Sequence, residues 1–209
     1  MSSLLIIMLL LLCLLLVSQA PVPVPGATQH GGSRDQEKKK KLYYIYPSAL
    51  DGDFQAKVDH IIQTNKTWVD WTLTPVPSDR VDLADFTIRL APRTDLNKYQ
   101  PLVPERYAGS NKIIRFSYTI DGKYIYIDAQ NWLHGVKESG LPLDDYQKYV
   151  ILHEVGHALG LDHTACNDQT AVGLKCPIMY QMTRGPPKGF AGVNFAPQRQ
   201  DRHVFQGSI

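Results

Sequence analysis

The sequence predicts an α/β domain, and three observations predict it. An apolar run precedes a segment with helical apolar spacing, two strand-like runs flank an Asp-Gly turn, and a long helical segment stops at a glycine. Residues 42–46 are apolar and aromatic and read as a first strand. Residues 53–65 carry Phe54, Val58, Ile61 and Ile62 at helical spacing and read as a first helix, so an α/β layer is expected. Residues 84–90 alternate as Phe86, Ile88 and Leu90. Residues 112–119 and 123–129 flank Ile120-Asp121-Gly122, whose Asp-Gly pair is a strong hairpin signal. At least four strands therefore precede the longest helix. That helix is expected to begin near Asp144, with Gln147 three residues on in capping-box fashion, and to run through Tyr146, Val150 and His153 to Leu159 before Gly160 ends it.

A chain of 209 residues, 44% hydrophobic and 20% charged, has ordinary globular composition and length enough for one sizeable core. Residues 1–20 hold an apolar run from Leu4 to Val17 followed by Ser18 and Ala20, the small residues of a cleavage site, and read as a signal peptide. The run is short for a membrane span, but it lacks a leading Lys or Arg, so an uncleaved anchor is the alternative. After cleavage a secreted, extracellular chain without stable membrane association is expected. Residues 21–41 mix Pro, Gly, Gln and a lysine run with few apolar residues and read as a flexible linker, leaving 42–209 as the domain. The net charge of +2 comes largely from Arg34 and the four lysines Lys38 to Lys41, so the domain itself is close to neutral. Nucleic-acid binding leaves a basic footprint that is missing here, and nucleic acid is set aside as a partner.

Once a signal is removed, Cys166 and Cys176 remain. An oxidising destination favours their pairing, whereas two free thiols suit a cytosolic chain. Asn65-Lys66-Thr67 is a glycosylation sequon of little diagnostic weight.

The chemistry concentrates in His153-Glu154-Val155-Gly156-His157-Ala158-Leu159-Gly160-Leu161-Asp162-His163, which matches H-E-x-x-H-x-x-G-x-x-H at every fixed position. Residues i and i+4 of a helix project side by side, so His153 and His157 can reach one ion. Gly160 permits a positive φ that ends the helix and turns the chain, bringing His163 to the same ion. Three ligands leave one position open, the arrangement of a catalytic zinc site, and Glu154 is placed to take a proton from water as general base.

These residues resemble the metzincin clan of zinc peptidases. Cys176-Pro177-Ile178-Met179-Tyr180 looks like that clan's Met-turn, with Met179 beneath the histidines, and Tyr180 after it as in matrixins; Thr164 departs from the matrixin serine. A closer resemblance, over Tyr146 to Thr183, is to an uncharacterised secreted metzincin-like family known mostly from actinobacteria, from which Leu161-Asp162 and the longer loop to Cys176 depart. The resemblance implies an α+β zincin fold: a mixed twisted sheet, an antiparallel edge strand over residues 112–119, an active-site helix, and a small C-terminal part with the Met-turn and a last helix over 197–206. It implies a secreted, monomeric zinc endopeptidase whose extended peptide substrate pairs with the edge strand. A zinc hydrolase acting on a non-peptide substrate, or a binding protein that keeps zinc for stability, are the alternatives; retention of Glu154 speaks against the latter. No acidic loop has the spacing of a calcium site such as an EF-hand, and calcium is left unassigned.

Overall fold

The computed structural model describes residues 37–99 and 117–197. The signal peptide, the linker up to residue 36, the 112–116 part of the expected edge strand and the last helix beyond residue 197 lie outside the described residues.

The described residues form a mixed five-stranded sheet with helices packed on one face. Strand β1 (Lys39–Ile45) leads to helix α1 (Phe54–Thr64) and strand β2 (Trp71–Pro75). A 3₁₀ segment (Ser78–Leu83) precedes β3 (Phe86–Ala91) and the short helix α2 (Arg93–Tyr99). Strands β4 (Tyr118–Ile120) and β5 (Tyr124–Asp128) form a hairpin, then helix α3 (Ala129–His134) leads to the long helix α4 (Leu143–Ala158). A two-stranded pair, β6 (Cys176–Pro177) and β7 (Val193–Asn194), closes the described chain. The sheet order is β2-β1-β3-β5-β4, parallel throughout except for β4, which lies antiparallel at the edge beside β5.

Register decides which residues face the helices. Tyr43 pairs with Phe86, Ile45 with Ile88, Ile88 with Ile125 and Leu90 with Ile127, so one face presents a continuous apolar row. Phe54, Val58 and Ile62 of α1 and the buried residues of α4 cover it. The next residues along each strand, including Tyr44, Thr87, Arg89 and Tyr126, point to the other face. Asp121 and Gly122 both take positive φ (52° and 65°), as the tight hairpin turn between β4 and β5 requires, and Lys123 N donates to Ile120 O. That turn fixes Thr119 opposite Ile125, hence on the helix-covered face.

Three expectations are corrected. The first strand begins before residue 42: Lys39, Lys40 and Lys41 belong to β1, because their backbone pairs with Trp71, Thr72 and Leu73 while their side chains remain partly in solvent. Lys39 sits 5.2 Å from the Trp71 ring, and Lys41 pairs with Asp85 at 3.3 Å. The capping box at Asp144 does not form. The N-cap is Pro142 with no side-chain cap, and Gln147 instead donates to Trp132 O at 2.9 Å; Asp144 and Asp145 lie in the first turn, where the helix dipole favours acidic residues. Strand β2 went unread because it is a little-buried edge ending in Pro75, although Trp71 and Leu73 alternate with Thr72 and Thr74.

Trp132 ties α3 to the start of α1. Its ring lies edge-on to Phe54 with centroids 5.1 Å apart, and its indole N–H donates to Asp51 Oδ2 at 2.8 Å. This hydrogen bond holds the Asp51 carboxyl below its usual range against the opposing effect of desolvation, with the Asp53 amide and Lys57 adding to it. A depressed folded pKa contributes stability that is fully present above the unfolded value of about 3.9 and is lost as pH falls through the lower folded value. Asp51→Asn is therefore expected to cost roughly 1–2 kcal/mol near neutral pH, with the gap closing in acid. Urea midpoints of both proteins across pH check this, and a gap independent of pH would remove the carboxylate as its source.

Candidate metal centre

Helix α4 is buried on nearly every side from Tyr146 onward, which is why its sequence shows little amphipathic contrast and why its polar residues need partners. It ends in a Schellman motif: Gly160 takes φ 88°, Gly160 N donates to His157 O and Leu161 N to Gly156 O, both at 3.0 Å. The same turn aims the Leu161 carbonyl at His157 Nδ1, 2.7 Å away. The Ile178 carbonyl likewise lies 2.9 Å from His153 Nδ1. With both Nδ1 positions donating to carbonyls, the Nε2 lone pairs of His153 and His157 are left for a ligand.

The chain beyond Gly160 brings His163 to the same point. The ligand atoms of His153, His157 and His163 all lie within 4.8 Å of one another, and His157 Nε2 and His163 Nε2 are 3.2 Å apart. Two nitrogens held 2.0–2.1 Å from a tetrahedral ion lie roughly 3.3 Å apart, so the donor set fits such an ion. Burial, reinforced by His157 and opposed by the Ile178 carbonyl, pushes the His153 pKa down to about 3, and burial lowers that of His157. Both rings are thus in the neutral, ligating form at physiological pH.

Glu154 is buried beside this triad. Its Oε2 accepts from Thr119 Oγ1 at 2.7 Å, and burial, opposed by that hydrogen bond, pushes its pKa up to about 7. The three histidines and Glu154 line a cleft of about 470 Å³, bounded on one side by Ser117, Tyr118 and Thr119 and on the other by Gln181, Thr183 and Arg184.

Met179 is fully buried and lies against Gly156, together with Trp68. Tyr180 N donates to Pro177 O at 3.0 Å to form the turn, and Thr164 N donates to Met179 O at 3.0 Å, joining the residue after His163 to it. Cys166 and Cys176 are disulfide-bonded, with Cα atoms 5.1 Å apart. A disulfide suits a non-cytoplasmic compartment. Among the described residues no helix is long and apolar enough to cross a membrane.

The structure thus brings together His153, Glu154, His157, His163 and Met179. It adds residues to which sequence reasoning assigned no role. Tyr149, one helical turn before His153 with ring centroids 5.2 Å apart, donates its buried hydroxyl to Tyr180 O and accepts from Met182 N, each at 2.9 Å. Its i−4 spacing from His153 was the only available signal. Thr119 and the Ile178 carbonyl are distant in sequence and gave none.

The fold and site together define an α+β protein with a buried carboxylate beside a three-histidine cluster that could hold a metal ion. The chain belongs to the DUF3152 family, proteins of unknown function, whose family profile matches residues 45–188 and so takes in the cluster, the disulfide and the Met179 turn. No curated protein matches the chain.

Proposed function

We propose that this protein is a secreted zinc-dependent endopeptidase of the metzincin kind. The observation that carries the reading is Glu154: a buried carboxylate next to three imidazoles that converge in an open cleft. A site that held a metal for stability alone has no use for a carboxylate that is not a ligand. His153, His157 and His163 would hold zinc, which when bound supplies Lewis acidity toward a carbonyl and acidifies water. Glu154 takes the proton of the attacking water and returns it to the leaving amine. An extended peptide has a place along β4, whose outer backbone edge borders the cleft. The disulfide, and the cleavable apolar leader expected from the sequence, support an extracellular setting.

The test is cleavage of an unbiased quenched-peptide library by the purified secreted protein, with bound metal identified by elemental analysis. Hydrolysis that stops on chelation and returns with zinc is expected. Bound zinc with no cleavage of any peptide would defeat the peptidase reading.

A further inference from the structure

We infer that Thr119 is the positioning residue of Glu154, fixing one carboxylate oxygen so that the other is presented to the proton it must take. This inference rests on the peptidase reading. Three observations lead to it. The Asp121-Gly122 turn sets the hairpin register, and the register puts Thr119 on the helix-covered face opposite the fully buried Ile125. Neighbouring residues of β4 point the other way, where Tyr118 stacks on Tyr126 with centroids 5.4 Å apart. From that position Thr119 Oγ1 lies 2.7 Å from Glu154 Oε2, the short distance of a hydroxyl on a carboxylate, and 3.1 Å from the Glu154 main-chain oxygen.

The hydroxyl carries a single proton, and the shorter contact assigns it to Oε2 of the ionised carboxylate. Oε2 is then occupied and the χ torsions of Glu154 are held. Thr119 also belongs to the strand that borders the cleft, so the base is anchored to the same element that would carry substrate. A hydrophobic residue at this position would pack equally well against α4 but leave the carboxylate free to rotate.

Thr119→Val removes the hydroxyl at nearly constant shape, and Thr119→Ser returns it. On a peptide cleaved by the wild-type protein, valine is expected to lower kcat about ten- to a hundredfold, with KM changed by less than about threefold and zinc content unchanged. Serine is expected to recover most of that loss. A second readout needs no turnover: thermal unfolding of the full protein as purified, in a double-mutant cycle of Thr119→Val with Glu154→Leu. Valine should lower the midpoint by several degrees when Glu154 is present and by much less when it is leucine. An unchanged kcat in the valine variant, a loss that serine does not recover, or an uncoupled cycle each overturns the role of Thr119. Should the wild-type protein cleave nothing, the peptidase reading falls and with it the catalytic purpose of the contact, whatever coupling the cycle reports.

Discussion

For the proposed zinc peptidase, Glu154→Gln is expected to reduce peptide hydrolysis by about 10²–10⁴-fold without loss of the metal. Glutamine keeps the size of the side chain and an oxygen that can accept from Thr119, so packing and the 2.7 Å contact can persist. It cannot accept the proton of water, which is the property the mechanism uses. His157→Ala is the contrasting variant. Its ring is one of three converging imidazoles that could hold a metal ion, its Nδ1 is fixed by the Leu161 carbonyl, and on the proposed reading its loss should abolish both zinc retention and turnover. Measured together, zinc content and kcat separate the two roles: the first variant loses only rate, the second loses both. Near-normal turnover in Glu154→Gln would place the base elsewhere.

Gly156→Ala is expected to destabilise the fold by roughly 1–3 kcal/mol, which is the reverse of what helix propensity alone dictates. In an exposed helix interior, alanine gains about 1 kcal/mol over glycine. Here a Cβ on residue 156 would overlap Met179 Sδ, lie 2.9 Å from Trp68 Cζ2 and 3.2 Å from Met179 Cε. The thioether can turn, but Met179 is fully buried and the indole is rigid and almost fully buried, so the shift must be taken up by the backbone of α4 or of the turn. Both carry site groups: Gly156 immediately precedes His157, and Ile178 accepts from His153. A lowered thermal midpoint accompanied by weakened zinc affinity is the expected result. A variant as stable as its parent would show that Met179 has more room than its burial implies.

Much of this arrangement could be read in one dimension because its causes are local. The pairing of His153 with His157 follows from helical spacing, and the turn toward His163 follows from Gly160, whose φ of 88° meets the expectation. Helix α1 and the hairpin turn likewise declare themselves through periodicity and through Asp121-Gly122. The illegible parts are those fixed by distant chain. Thr119 meets Glu154 only because a register 35 residues away places it there. The Ile178 carbonyl that orients His153 is a backbone group and carries no residue signature. The lysines of β1 read as linker because strand pairing there uses main-chain groups that composition does not register. Gln147 read as a cap because its spacing fitted, but the helix starts earlier, at a Pro142 N-cap, and the Gln147 amide donates to the Trp132 carbonyl.

The loop between Cys166 and Cys176 is sealed at its base twice over, by the disulfide and by the Thr164 to Met179 hydrogen bond. His163 lies just before this seal, and Met179 is itself one of its partners. The loop tip exposes the side chains of Val172 and Leu174, at 62% and 65%, while its backbone is held by the Ala191 N–H on the Leu174 carbonyl. Exchanges of the exposed side chains at the tip are expected to leave the spacing of the three histidines unchanged, because the disulfide and the Thr164 to Met179 hydrogen bond lie between. The molecule therefore has, beside its histidine cluster, an exposed segment whose side chains can diverge while the cluster stays in place.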